Sequence, residues 1–280
     1  MPGIQLRSMS KRALRAVLAM GALVLSLGFV PGLQAKDGCT NQDFIGVFGF
    51  FGTGYVVQST GTPPVGPFAR VGTFVTDGNG NLSFNSTANF NGLIAPFDFL
   101  GTYTMDSDCT FTAVLHLTNP FTLDVTFIGG LSEDGNQSRE LFTEPPGIVI
   151  SANGRKQNLG ACTNRDLSGF FQLELSGSTL VGTTRLPFAG LGKIDADGAG
   201  SFVGKLRSNF GGLSSQENIS GTYATAPDCT FQMKYYTAGE GKGPSDGVTL
   251  KGVLTDQGNR AFLMVLDPPS AVVLGSLDRR

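Results

Sequence analysis

The sequence contains no tryptophan, one histidine and four cysteines, and charged residues occupy only 15% of its 280 positions. A single histidine and four cysteines leave little material for a histidine-based catalytic triad or a metal centre. The apolar fraction of 40% is too high for an intrinsically disordered chain. Residue types that carry catalysis are therefore scarce, whereas those that build a core are plentiful.

Glycine is abundant, with 40 residues spread along the chain without a Gly-X-Y period. The missing period excludes collagen. Each glycine inside a helix costs about 1 kcal/mol, so glycine spread in this way disfavours a helical bundle. The composition instead favours an all-β fold of many short strands joined by tight turns.

Residues 1–35 have the order of a secretory signal: basic residues, an apolar run and a short segment that ends at Ala35. The apolar run, 16–30, has 15 residues, fewer than the roughly 20 that span a bilayer, although a retained anchor is the alternative. The sequence predicts a secreted or periplasmic protein with no membrane span after cleavage. Cysteines in such compartments normally form disulfides.

Removal of the predicted signal also changes the charge balance. The chain has 20 basic and 22 acidic residues, and the signal contains four of the basic residues and none of the acidic ones. The remaining chain has a net charge of about −6, which argues against a nucleic-acid or anionic-membrane partner.

The rest of the chain is a tandem repeat. The segment 39–46 reads Cys-Thr-Asn-Gln-Asp-Phe-Ile-Gly and returns at 162–169 as Cys-Thr-Asn-Arg-Asp-Leu-Ser-Gly. Further matches follow in the same order at offsets of 120 or 123 residues, a colinearity that chance does not produce. The repeat predicts two β-barrel domains, 39–161 and 162–280, with 153–161 as the linker.

Each repeat has the pattern of consecutive strands. Leu167, Phe171 and Leu175 share one face of the alternating segment 167–176, as in a half-buried strand. Asp-Gly-Asn-Gly at 77–80 supplies the positive φ that hairpin turns need. The first repeat is predicted to have eight strands, at 44–57, 67–75, 81–90, 97–104, 109–118, 121–132, 137–143 and 147–152.

Eight antiparallel strands can close into an up-and-down barrel or split into a sandwich. Closure removes exposed strand edges, and an eight-stranded interior is either filled by side chains or holds one small ligand. The sequence predicts two tandem antiparallel up-and-down β-barrels of about eight strands each. One outer-membrane barrel of all sixteen strands is disfavoured, because tryptophan is absent and only 5 tyrosines are available for aromatic girdles.

Four cysteines allow three disulfide pairings. Cys39 precedes the first strand of its repeat and Cys109 begins the fifth, and all odd strands of a meander begin at the same end of the barrel. The same holds for Cys162 and Cys229 in the second repeat. The predicted disulfides are therefore Cys39–Cys109 and Cys162–Cys229.

These motifs resemble those of secreted bacterial proteins with allene oxide cyclase-like barrel domains. The resemblance rests on Cys-Thr-Asn-x-Asp-Leu-x-Gly at 162–169, Asp-Gly-x-Gly at 197–200, and Gly-Thr-Tyr followed by Asp-Cys-Thr within 221–230. It covers both repeats and implies calycin-type barrels with interiors suited to an apolar small molecule. It implies no catalytic residues, because no motif here matches the polar groups of the plant cyclase.

Phenylalanines are the candidates for a ligand-facing surface. Phe44, Phe48 and Phe50 in the first repeat, and Phe171 in the second, are placed where aromatic rings could line a barrel and bind an apolar guest. The alternative, which the sequence favours, is that these rings simply fill the core.

Three polar features have structural explanations that are favoured over functional ones. His116 lies opposite the apolar face of its strand and is expected at the surface or rim rather than as a general base. The acidic turn 195–200 resembles a calcium loop, but a plain hairpin is preferred. Asp108 and Asp228 are expected to accept backbone hydrogen bonds rather than to act as catalytic acids. No catalytic residue, cofactor or metal is predicted.

The sequence favours an exported, non-enzymatic pair of barrels that binds a small apolar ligand or a surface partner. The alternative is an isomerase or cyclase acting inside the barrel, by analogy of fold. The direction of the polar side chains separates these hypotheses. An entirely apolar interior argues against catalysis, whereas a buried carboxylate beside a tyrosine or asparagine supports it.

Overall fold

The chain forms two closed antiparallel β-barrels of eight strands each in a computed structural model that describes residues 38–58, 63–117, 123–237 and 247–280. The predicted signal, 1–35, lies outside the described residues, as do positions 118 and 121–122 of two predicted strands. No helix in the described ranges is long and apolar enough to cross a membrane.

Each barrel is an up-and-down meander whose last strand pairs with its first. The first barrel contains β1 (Ile45–Val56), β2 (Gly66–Asp77), β3 (Asn81–Phe90), β4 (Leu93–Met105), β5 (Thr110–Leu117), β6 (Leu123–Leu131), β7 (Gln137–Glu144) and β8 (Ile148–Lys156). The second contains β9 (Ser168–Val181), β10 (Thr184–Asp197), β11 (Ser201–Phe210), β12 (Leu213–Thr225), β13 (Thr230–Thr237), β14 (Val248–Thr255), β15 (Arg260–Asp267) and β16 (Ala271–Arg279). The predicted fold class is confirmed.

Two predicted boundaries were wrong. β8 continues to Lys156, so 153–156 belong to a strand that pairs with β1 and not to a linker. β4 begins at Leu93, four residues before its predicted start, because Asn91 and Gly92 form a tight turn with φ of 49° and 105°. An Asn-Gly pair is the strongest short signal for such a hairpin.

The repeated Cys-Thr-Asn-x-Asp motif closes one end of each barrel. In the first repeat, the Thr40 amide donates to the Asp43 carboxylate at 2.8 Å, and the Met105 amide donates to Asn41 Oδ1 at 2.9 Å. The second repeat has the same two contacts. The Thr163 amide donates to the Asp166 carboxylate at 2.7 Å, and the Thr225 amide donates to Asn164 Oδ1 at 2.8 Å. The motif that carries the family resemblance is thus accounted for by scaffold contacts.

The disulfides lie at the same ends of the barrels, and both predicted pairings are confirmed. Cys39 bonds Cys109 and Cys162 bonds Cys229, over sequence separations of 70 and 67 residues. In each bond the second cysteine has a positive φ, 68° at Cys109 and 66° at Cys229. The duplication therefore extends to backbone conformation.

An apolar cluster on the outer faces joins the two barrels. Outward side chains of β1 and β2 pack against those of β14, β15 and β16, and the Phe51 and Phe262 ring centroids are 4.8 Å apart. Asn89, fully buried, donates from Nδ2 to the carbonyls of Pro269 and Ala271 at 3.0 and 3.2 Å. That the segments 39–161 and 162–280 are separate domains stays a prediction.

Gly101 allows β4 and β5 to approach closely. A Cβ at this position would lie 2.1 Å from the Val114 carbonyl oxygen, and one at the matching Gly221 would lie 2.0 Å from that of Lys234. Because the obstacle is backbone within a hydrogen-bonded ladder, Gly101→Ala is expected to lower the free energy of unfolding by about 1–3 kcal/mol in urea denaturation.

Gly130 provides the matched control for this substitution. A Cβ there meets no atom within 4 Å, so Gly130→Ala is expected to change stability by less than about 0.5 kcal/mol. Equal losses in the two variants would contradict the role assigned to Gly101.

Candidate functional site

The interior of the first barrel has a packed half and a partly open half. Aromatic rings fill the end next to the disulfide, where Phe48 and Phe74 stack at 4.8 Å and Phe44 lies 5.3 Å from both Phe48 and Tyr103. The other half contains a cavity of about 40 Å³, which has room for at least one water molecule. Its lining consists of Pro63, Phe68, Arg70, Ala88, Phe90, Phe97, Phe99, Leu117, Leu123, Val125, Phe142, Ile148 and Ile150.

The four predicted ligand-facing phenylalanines are absent from this lining. Phe44, Phe48 and Phe50 are buried in the core of the first barrel, and Phe171 is buried in the core of the second. The guanidinium carbon of Arg279 lies 4.8 Å from the centre of the Phe171 ring. All four have the packing of core residues, and ligand contact by them stays a prediction.

Arg70 is the polar side chain of the cavity lining. It lies on the inward face of β2 and is only 5% exposed. Its Nε donates to Ser86 Oγ at 2.8 Å, and Ser86 Oγ donates to the Phe97 carbonyl at 3.2 Å. Its Nη2 is buried with no hydrogen-bond partner, and no carboxylate of the described residues forms an ion pair with it.

Aromatic rings surround the Arg70 guanidinium on several sides. Its central carbon lies 4.7, 5.3 and 5.6 Å from the ring centres of Phe99, Phe50 and Phe84. The negative faces of such rings attract a cation, yet they provide no counter-ion. Burial lowers the pKa of Arg70 to about 9, which reflects the cost of a charge held away from water.

Small residues beside Arg70 make room for its side chain. Gly52 of β1 and Ala88 of β3 are its register partners on the two neighbouring strands. A Cβ at Gly52 would lie 3.8 Å from the Arg70 Cβ. The long arginine can therefore turn inward without expanding the barrel, since small and large residues alternate in a well-packed interior.

Glu140 of β7 is a second ionisable group inside the first barrel, but it does not line the cavity. It is 6% exposed, its Oε1 accepts a hydrogen bond from Ser138 Oγ, and burial raises its pKa to about 7. Two strands separate Glu140 from Arg70, and the register partners between them are Ala152 and Gly52. The interior thus contains a buried carboxylate, although a serine rather than a tyrosine or asparagine is its partner.

The second barrel has none of these polar groups at matching positions. Gly190, Leu206 and Leu263 stand in place of Arg70, Ser86 and Glu140, and the strand register supports this alignment, since Gly190 pairs with Ser208 as Arg70 pairs with Ala88. A Cβ at Gly190 would lie 3.3 Å from Leu206 Cδ1. Leucine therefore fills the corresponding space, and the site is specific to the first repeat.

The other polar candidates have scaffold contacts. His116 Nδ1 lies 2.7 Å from Asp124 Oδ1, with both side chains exposed on the outer face. Asp197 Oδ1 accepts backbone amides of the turn at 2.7 to 2.9 Å, as in a plain hairpin. The Thr110 and Thr230 amides each donate to the aspartate two residues earlier at 3.0 Å, as predicted for Asp108 and Asp228.

The sequence contained a signal for Arg70 that the composition and motifs did not reveal. Along β2, Arg70 shares the inward face with Phe68 and Phe74, so a charge interrupts an otherwise apolar face. Alignment of the two repeats also places Arg70 against Gly190. A charged residue at an inward position of only one repeat is a candidate for function.

Comparisons with known proteins give no family assignment. No family model and no curated protein matches the chain. Among solved structures, transferrin binding protein B from serogroup B Neisseria meningitidis overlaps 85% of this chain and 76% of its own, at 8% identity and a TM-score of 0.33. A DUF3598-family protein of unknown function from Nostoc punctiforme overlaps 86% of this chain and 99% of its own, at 10% identity and a TM-score of 0.24.

Proposed function

We propose that the protein is an exported, non-enzymatic binding protein whose first barrel holds one small, mainly apolar ligand. The observation that carries this proposal is the cavity in the open half of the first barrel, with twelve apolar side chains and Arg70 around it. Small-molecule sites in proteins are concave and mostly apolar, with few polar groups that orient the ligand. The second barrel, with leucine in the matching space, acts as a scaffold.

Export is part of the same proposal. The signal pattern of 1–35 and the two disulfides both support a secreted or periplasmic location, because disulfides persist in oxidising compartments. The proposal also includes the allene oxide cyclase-like resemblance, as a similarity of barrel architecture.

An isomerase or cyclase acting in this barrel is the less supported alternative. Proton transfer needs a group that can accept and release a proton near neutral pH within reach of the substrate. The cavity lining offers Arg70, a poor proton acceptor, whereas Glu140 stands outside it. Binding therefore agrees better with the lining than catalysis does.

Binding of 1-butanol, followed by NMR chemical-shift titration, tests the proposed function. The alcohol is expected to perturb resonances of the cavity residues in a saturable manner. Ala88 lines the cavity and is 1% exposed, so Ala88→Leu is expected to fill the space and reduce binding by at least about tenfold.

Leu100→Ser is the matched control. Leu100 is 70% exposed on β4, so this substitution removes apolar surface area without changing the cavity lining. It should bind 1-butanol like the parent protein. Binding that survives Ala88→Leu but is lost in Leu100→Ser would place the ligand on the surface. Native mass spectrometry of the exported protein would identify a ligand that purifies with it.

A further inference from the structure

We propose that the ligand of the first barrel is a short aliphatic monocarboxylate, whose carboxylate binds the Arg70 guanidinium while its alkyl chain lies among the apolar side chains toward the mouth. This inference rests on the proposed function and adds the charge, size and orientation of the ligand. Four features of the site carry it: an unpaired buried charge, a free donor, limited room and an apolar path to the mouth.

No carboxylate in the described part of the chain pairs with the charge of Arg70. A buried charge without a partner is costly, and proteins normally pair such groups. Glu140 is a buried carboxylate of this barrel, yet it hydrogen-bonds Ser138 and forms no ion pair with Arg70. An anionic ligand would supply the missing charge in a place where the surrounding rings make water scarce.

The hydrogen bonds of Arg70 leave Nη2, which carries two N–H groups, without a partner in the described residues. Ser86 accepts from Nε and thereby orients the guanidinium plane, while Nη2 is buried and unpartnered. Arginine binds carboxylates through such directional N–H groups, and these charge-assisted bonds are stronger than neutral ones. The second repeat, with Gly190 and Leu206 at these positions, lacks both the donor and the group that orients it.

The charge and the volume together select a monocarboxylate. One guanidinium is neutralised by one negative charge, whereas a dianionic phosphate would leave excess charge among apolar groups. The small volume of the cavity, about 40 Å³, favours a short alkyl chain, and butyrate serves as the probe.

The cavity also defines the orientation of the ligand. Arg70 lies four residues into β2 from Gly66, or roughly 13 Å from the strand start at 3.3 Å per residue. Phe50 and Phe84, which flank the guanidinium, belong to the packed core and do not line the cavity. Pro63, Leu117 and Leu123 line the cavity near the strand ends. The carboxylate is therefore deepest and the alkyl chain points outward.

Paired titrations with butyrate and 1-butanol test the inference on the full chain. Butyrate is expected to bind the parent protein at least about tenfold more tightly, because hydrogen bonds to charged groups exceed neutral ones by that order. In Arg70→Met, which keeps an unbranched apolar stem but lacks the guanidinium, the ratio is expected to fall to about one while 1-butanol still binds. The same titrations should shift the Arg70 Nε–H resonance of the parent with butyrate.

A thermal readout separates a binding role for Arg70 from a structural one. Arg70→Met removes an unpaired buried charge, so its Tm without ligand is expected to rise, and butyrate should raise the Tm of the parent only. If Arg70 instead holds the barrel together, the variant will melt at a lower temperature. The resonance shift in the parent protein tests the inference even if the variant does not fold.

The outcomes distinguish this inference from the proposed function. Equal affinity of the parent for butyrate and 1-butanol, or tighter binding of butylammonium, would overturn the carboxylate assignment. The proposed function, binding of a small apolar ligand, would still hold. Failure of both 1-butanol and butyrate to bind would overturn the proposed function as well.

Discussion

Replacing Cys39 and Cys109 together by serine is expected to lower the free energy of unfolding by about 4 kcal/mol, because the bond closes a loop with a sequence separation of 70 residues. The bond restricts the unfolded chain, and the loss grows only with the logarithm of loop length. A change of this size is a large part of the 5–15 kcal/mol by which typical domains are stable. Urea denaturation of the variant and parent would measure it.

The duplication provides an internal control for this prediction. The separation in the Cys162–Cys229 bond is 67 residues, so the loop-closure account expects nearly the same loss when that pair is replaced. Losses that differ by more than about 1 kcal/mol would show that native contacts around one bond, rather than loop closure, dominate its effect. A loss below about 1 kcal/mol in both variants would contradict the prediction itself.

Replacing Glu140 by glutamine is expected to increase stability above neutral pH and to remove a pH dependence between about 4.5 and 7. Burial raises the folded-state pKa of Glu140 from 4.5 to about 7, so the folded protein holds a proton that the unfolded chain releases. Its stabilising effect is therefore complete below the unfolded pKa and is lost as pH rises through the folded pKa. The difference amounts to about 3 kcal/mol.

The measurement is the free energy of unfolding from urea denaturation at several pH values between 4 and 8. At pH 8, the free energy of unfolding of Glu140→Gln should exceed that of the parent by about 1–3 kcal/mol. The range extends below the full difference because the amide adds N–H donors that need partners in the core. The exposed Glu174→Gln in β9 is the control and should follow the parent at every pH. If the free energies of unfolding of Glu140→Gln and the parent changed in parallel with pH, the raised folded-state pKa of Glu140 would be refuted.

Other carboxylates affect the free energy of unfolding at lower pH than Glu140 does. Hydrogen bonds lower the pKa of Asp77, with the Asn81 side chain as the main donor, and that of Asp197, with the Ser201 amide as the main donor. Their contribution is lost as pH falls through those lowered values, which is below the Glu140 range. The comparison between variant and parent therefore isolates Glu140.

Much of the architecture could be predicted because it depends on local rules. The duplication is visible as colinear identity, and the alternation at 167–176 places Phe171, Leu173 and Leu175 inside, where they are buried. Parity along a meander places Cys39 and Cys109 at one end, and they bond there. Boundaries were less predictable, because β8 gains residues 153–156 only through pairing with β1 on closure.

The candidate site could be predicted only in part. Phe44, Phe48 and Phe50 form an aromatic run in the sequence. Phe44, just before β1, and Phe48, near the start of β1, lie in the packed half, while Phe68, Phe90 and Phe99 line the cavity. Alternation shows which side chains face inward, and it says nothing about their height along the barrel axis. That height depends on strand tilt and register.

The sequence by itself determined the repeat, the strand order and the disulfide pairing, since each depends on periodicity or on matching positions in the chain. Only the tertiary structure decided that Arg70 points into the first barrel without a carboxylate partner among the described residues, and that Leu206 fills the matching space in the second barrel. Distances between side chains on non-adjacent strands, such as Arg70 and Glu140, are set by barrel closure and shear. No pattern within a single strand contains that information.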